Sequence, residues 1–171
     1  MHETPEDVDA LQALLDASLS RSTAHLRSIV TERSVPAAQL VRVLDGMCVL
    51  ALSTVTASGE PRISAVDGHL LRGRWVFGTA RTAAKARHLA ARPAASVAHL
   101  RGEDLGVFVH GTVEELNPLG GPPADDWPEV LAYLRGFYGD DAFDWDAEVV
   151  YYRLRPRWMT AYAPDVAALL A

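Results

Sequence analysis

The chain reads as an α+β domain, mainly β, built on a closed or nearly closed antiparallel β-barrel with flanking helices. Three observations carry that reading. Six short runs rich in β-branched and apolar residues, 47–56, 61–71, 74–79, 94–101, 106–116 and 147–158, are bounded by turn-forming residues. The separators Ser58-Gly59, Arg72-Gly73 and Gly102-Glu103-Asp104 suit hairpins, which makes the strands they join antiparallel. Strands of this kind remove their exposed edges by closing into a barrel. At 171 residues and 49% hydrophobic content the chain fits one compact unit, and a chain of about this length buries roughly 70% of its unfolded surface. Residues 1–35 read as an N-terminal helical extension and 36–171 as the barrel domain.

The elements follow in order. Thr4 suits a helix N-cap, with Pro5 at the first position and Glu6 and Asp7 in the first turn, while Leu11, Leu14 and Leu15 form an apolar face. This helix runs, with a break near 18–22, to about Thr31. A second begins near Pro36, carries Leu40, Val41, Val43 and Leu44, and ends at Gly46. After the third strand, 83–91 has helical composition. The stretch 117–126, NPLGGPPADD, holds three prolines and two glycines and is a surface loop. Residues 127–138 return to a helical pattern with Val130, Leu131, Leu134 and Phe137 on one side. An acidic turn, 139–146, leads into the last strand.

Composition narrows the function. The single cysteine, Cys48, lies in an apolar strand and reads as a small buried hydrophobe, so disulfide frameworks and cysteine-rich zinc sites are excluded. The amino terminus is acidic where a signal peptide is basic, and no run of about 18 apolar residues occurs, so the expectation is a soluble, cytoplasmic protein with no membrane role. A formal net charge of -6 repels a polyanion, which argues against nucleic-acid binding. No Ser-His-Asp order, G-x-S-x-G elbow or P-loop is present, so the chemistry is expected to be a cofactor's.

The most informative stretch is 75–93, WVFGTARTAAKARHLAARP. Trp75, Val76 and Phe77 read as a buried strand that Gly78 and Thr79 break. The helix that follows places the Thr79 hydroxyl and the Lys85 ammonium near its first turns, where free N–H groups and the dipole favour an anion. A phosphorylated ligand fits there. Arg62 and Ser64 alternate on one strand and share a face with Val66, opposite Ile63 and Ala65. Arg81 is a further candidate phosphate contact.

Taken in order, these segments resemble the pyridoxamine 5'-phosphate oxidase-like, flavin-binding split-barrel family. The matching elements are the apolar strand at 47–56, the Gly59-Glu60-Pro61 turn, Arg62-x-Ser64, the W-V-F-G-T strand end, Lys85 followed by Arg87-His88-Leu89, Arg92-Pro93, and Gly111-Thr112-Val113-Glu114, over roughly residues 36–162. The resemblance implies a homodimer that holds FMN across its subunit interface, with the phosphate gripped by Arg62, Ser64, Thr79 and Lys85. It also implies a terminal segment that approaches the partner's flavin, carried here by Trp158 and Tyr162 beyond the last strand. The expected activity is flavin-dependent redox chemistry on a small-molecule substrate. The cofactor-binding set is Arg62, Ser64, Val66, Thr79, Arg81, Lys85 and Trp158, with no metal ligand.

Two departures loosen the choice of flavin: Ala83 stands where the deazaflavin-using branch often has a basic residue, and His88 stands where an amide is often found. The deazaflavin coenzyme F-420 is therefore the close alternative to FMN. A non-catalytic flavin or heme carrier is a further one, since a heme-handling branch uses a histidine ligand. The ending APDVAALLA does not match the substrate-binding segment of pyridoxamine-phosphate oxidase itself. Of the six histidines, His99 and His110 fall on successive strands and are expected to be able to approach each other, though without metal-site spacing. His88 reads as a surface or loosely packed helix residue, and His69 lies near the expected ring site. Glu114 and Glu115 are adjacent on a strand, point to opposite faces and do not form an acid–base pair.

Overall fold

The computed structural model describes residues 3–139 and 147–170. The helices are α1 (Pro5–Ser20), α2 (Ala24–Val30), α3 (Ala37–Val43), α4 (Ala84–Ala91), α5 (Trp127–Tyr138) and α6 (Val166–Leu170), with a 3-10 turn at Thr31–Arg33. The strands are β1 (Met47–Val55), β2 (Pro61–Leu71), β3 (Arg74–Ala80), β4 (Ala94–Arg101), β5 (Leu105–Glu115) and β6 (Val149–Tyr162). They close into an antiparallel barrel in the order β1-β2-β3-β6-β5-β4. The acidic turn expected at 139–146 lies, from residue 140 onward, outside the described residues.

Local chemistry sets the boundaries. The Thr4 side chain accepts from the Asp7 N–H and the Asp7 carboxylate accepts from the Thr4 N–H, which closes a capping box with Pro5 at the first helical position. Thr23 caps α2 in the same way, from the Leu26 N–H, so the break after Ser20 is a true restart. At the β2–β3 hairpin both Arg72 (φ 51°) and Gly73 (φ 70°) have positive φ, the backbone a tight two-residue turn needs.

Alternation divides each strand between barrel interior and outer surface. Cys48, Leu50 and Leu52 of β1, Trp75 and Phe77 of β3, Val107 and Val109 of β5 and Leu154 and Met159 of β6 fill the interior. Leu11 and Leu15 of α1 join the same core, and the Ser18 hydroxyl accepts from the Met159 N–H at 3.0 Å, so α1 packs on β6. On the outside, α5 buries Trp127, Val130 and Leu134 against Leu71, Val76 and Leu116.

Three expectations need correction. The last strand does not end at 158 but runs to Tyr162, because a bulge at His110/Gly111 opposite Pro156 and Trp158 absorbs the proline and lets the ladder resume. Trp158 and Tyr162 are therefore strand residues. His99 and His110 do not approach each other: His99 points inward, 7% exposed, with Val107 opposite, while His110 points outward opposite Ser96. His88 is not a loose surface residue, since its Nδ1 lies 3.0 Å from the buried Thr54 hydroxyl and ties α4 to β1.

Candidate functional site

The ladders of the barrel are shortest between β1 and β4, where pairing covers only Ala51–Ala98 to Ser53–Ser96, and between β2 and β3. The β1–β2 ladder runs the full length from Met47–His69 to Val55–Pro61, but the β2–β3 ladder covers only Gly68–Phe77 to Leu71–Arg74. Beyond Phe77, β3 pairs with β6 alone, through Gly78–Tyr151, Thr79–Val150 and Ala80–Val149. Residues 61–67 thus face β3 across a split, with an edge of backbone groups that has no ladder partner there. The Lys85 ammonium crosses into this split and donates to the Ala65 carbonyl at 3.3 Å. Since strand backbone groups alternate in direction, Ile63 and Asp67 turn their N–H and C=O toward the same gap.

The start of α4 supplies the second wall. Ala83 is its N-cap and offers no side-chain acceptor, so the N–H groups of the first turn keep their capacity for an external anion. Arg87 is occupied elsewhere, its guanidinium donating to the Thr82 carbonyl at 2.7 Å.

Arg62, Ser64 and Val66 share one face of β2, opposite Thr54, Leu52 and Leu50 of β1. Val66 is buried, Ser64 half-buried, and Arg62 is exposed and paired with Glu60 at 2.8 Å. Thr79 borders the split across from Asp67. Arg81 turns to the other side: its guanidinium donates to Glu115 at 2.9 Å, the Asn117 carbonyl at 2.6 Å and the Ala147 carbonyl at 3.1 Å, fastening the loop after β5. Trp158 stacks on His110, with ring centroids 4.8 Å apart. It lies eight residues along β6 from Val150, the register partner of Thr79, roughly 25 Å at strand rise. Within one chain, then, the structure gathers Ser64, Val66, Thr79 and Lys85 around the split and leaves Arg81 and Trp158 apart from it.

The split opens into a cavity of about 300 Å³ on the outer face of β2, β3 and β6, roofed by α5. His69 stands against one wall, 2% exposed, with Nδ1 3.0 Å from the Tyr133 hydroxyl and Nε2 2.8 Å from the Tyr138 hydroxyl. A neutral imidazole has one donor and one acceptor nitrogen, so one tyrosine donates to it and the other accepts. Burial pushes the His69 pKa down to about 4, against a weaker upward pull from Asp67. Burial also raises the Tyr133 hydroxyl to about 12 and shifts Tyr138 upward.

The pair of tyrosines is the feature that sequence reasoning misses. Tyr133 and Tyr138 sit more than sixty residues from His69, and the apolar pattern of α5 says that it packs without saying on what.

A pH dependence follows from His69. Its folded pKa lies below the ordinary value of 6.5, so between pH 6.5 and about 4 the unfolded chain takes up a proton that the native chain refuses. Stability should decline across that window, and His69→Gln should flatten that part of the profile. Denaturant unfolding of both proteins at pH 7, 6 and 5 checks this.

No family model matches the sequence, and no curated protein matches it. Solved structures do. The heme storage protein HutZ of Vibrio cholerae superposes with a TM-score of 0.60 at 18% identity, over 77% of this chain and 94% of its own. An FAD-binding protein from Mesorhizobium loti gives 0.56 at 18% identity over 75% and 93%. A candidate pyridoxamine 5'-phosphate oxidase from Listeria innocua gives 0.54 at 11% identity over 71% and 94%. At these identities the likeness is one of fold. This chain has the split-barrel fold of the pyridoxamine 5'-phosphate oxidase-like proteins, and the structures that share it include one named for FAD binding and one for heme storage. No helix among the described residues is long and apolar enough to cross a membrane.

Proposed function

We propose that this protein is a flavin-dependent oxidoreductase that holds FMN in the split and exchanges a hydride or electrons with a small organic molecule. The observation that carries the reading is the early end of the β2–β3 ladder, which leaves a strand edge, a cation and an uncapped helix start around one gap. The residues fit the cofactor's parts. Lys85, Thr79 and the first N–H groups of α4 suit a phosphate, with Arg62 and Ser64 on the adjoining face of β2. The backbone edge at Ile63, Ala65 and Asp67 suits the alternating donors and acceptors of a flavin ring. When bound, the flavin supplies the electron transfer; the chain binds, orients and shields it from water.

The partner would be a second copy. Val49, Ile63 and Leu100, exposed by 55%, 76% and 57%, lie on the outer barrel surface with the His110–Trp158 stack, and such an apolar face suits a subunit interface. Trp158 would then reach a flavin only as the partner's contribution. Heme receives less support from the geometry: both His69 ring nitrogens are within hydrogen-bond reach of tyrosines, and His99 donates from Nδ1 to the Val49 carbonyl at 2.9 Å and accepts at Nε2 from Arg101.

Protein purified from an expressing cell should be yellow, and denaturation should release a flavin whose mass is that of FMN. Release of deazaflavin coenzyme F-420 would change the cofactor and keep the site. A heme absorption band, or no flavin uptake after incubation with FMN, would overturn the reading.

A further inference from the structure

We propose that the cavity beneath α5 is a pocket for a small, flat organic cation, such as an aromatic amine, with Asp67 as its counter-charge. As a substrate site this rests on the flavin reading, because the cavity adjoins the split through Asp67 and Thr79.

The walls define the ligand. Val76, Leu134 and Val149 are apolar, and Tyr138 and Tyr151 contribute aromatic surface. Among the described lining residues Asp67 is the one carboxylate and none is a lysine or arginine, and burial keeps His69 uncharged at neutral pH. Lys85, the cation of the split, reaches back to Ala65 and does not line the cavity. A volume of about 300 Å³ lies at the small end of ligand pockets, which span roughly 300–1,000 Å³ and so leave room here for a ring with a short side chain.

Charge then selects among such molecules. An ammonium near Asp67 gains Coulomb attraction and the electron-rich faces of two tyrosines, whereas a carboxylate meets repulsion, with no cation among the described lining residues. Tyr138 is fixed for this role, because its hydroxyl is 2.8 Å from the buried His69. Asp67 and His69 are two apart on β2 and share its outer face, so the carboxylate and the tyrosine wall address the same volume. The net charge of -6 adds a field of the same sign.

Two probes of matched shape test it: phenethylamine and phenylpropionate, titrated calorimetrically into the full-length protein as purified. The amine should bind about tenfold or more tightly than the carboxylate at low ionic strength, with the preference shrinking as salt is added. Asp67→Asn should bring the two within about twofold of each other. Equal binding, a preference for the carboxylate, no binding of either, or a preference that survives Asp67→Asn overturns the proposal.

Added FMN separates the pocket from the cofactor site. If FMN displaces the amine, the cavity belongs to the flavin ring and the substrate assignment falls. If the amine preference holds in a protein that never takes up flavin, the cation pocket stands while the cofactor reading fails.

Discussion

Lys85→Ala should lose bound flavin while leaving the barrel folded. Among the described residues the ammonium has one hydrogen-bond partner, the Ala65 carbonyl at 3.3 Å, and that group is a backbone oxygen on a strand edge. Removing the lysine therefore leaves no buried charge behind, and α4 keeps its anchors in Ala86, Leu89 and the Thr54–His88 bond. A charge-assisted hydrogen bond to phosphate contributes roughly 1.5–3 kcal/mol, so flavin affinity should fall about ten- to a hundredfold. Fluorescence titration of cofactor-stripped wild type and variant measures this, with circular dichroism as the check on folding. Lys85→Arg should restore part of the loss, because charge is kept while the reach changes. Undiminished flavin binding in Lys85→Ala would remove the phosphate from this corner and with it the proposed orientation of the ring.

The sequence made the barrel legible wherever local chemistry decides structure. Turn residues at Gly59, Arg72-Gly73 and Gly102, the capping box at Thr4 and Asp7, and the alternating strands all act within a few residues of themselves. Pairing registers do not. Nothing in 61–71 announces that β3 will leave it at Gly68, yet that departure creates the split. Nothing local says that the last strand passes 158, and the extra residue opposite His110 and Gly111 lets β6 continue to Tyr162.

The candidate site divides along the same line. Thr79 and Lys85 were legible because a strand, a turn and a helix follow each other in the chain, and Ser64 and Val66 because strand parity is local. Arg81 carries a charge at the right spacing but its direction depends on Glu115, Asn117 and Ala147, which come from two other segments. The cavity itself depends on where α5 lands, which is a tertiary matter.

Arg153 fastens the start of α5, whose Trp127, Val130 and Leu134 are buried on the barrel, and its replacement should be strongly destabilising. The guanidinium donates to Glu114 of β5 at 3.0 Å and to Asp126, the residue that opens α5, at 2.5 Å. With Arg153 only 9% exposed at its side chain and the Asp126 carboxylate 25%, Arg153→Ala leaves Asp126 facing an empty space, while Glu114 keeps Arg155 as its partner. Breaking a buried pair in this way costs about 3 kcal/mol, or roughly 6–12 °C in Tm for a chain of this size. Burial pushes the Asp126 carboxyl up, but the Arg153 hydrogen bond and charge outweigh it and hold its pKa below the usual 3.8. The stability from this contact is therefore present above the unfolded-state pKa and fades as pH falls through the folded one, so wild type and variant should converge in acid. Thermal melts at pH 7 and below pH 4 check both halves. Because Arg153 ties the barrel to the start of the cavity's roof, hydrogen exchange in the variant should quicken first along Trp127–Tyr138. Loosening there frees Tyr133 and Tyr138 from His69, so the amine selectivity assigned to the cavity should weaken in Arg153→Ala while flavin uptake at Lys85, on the opposite side of the split, is kept.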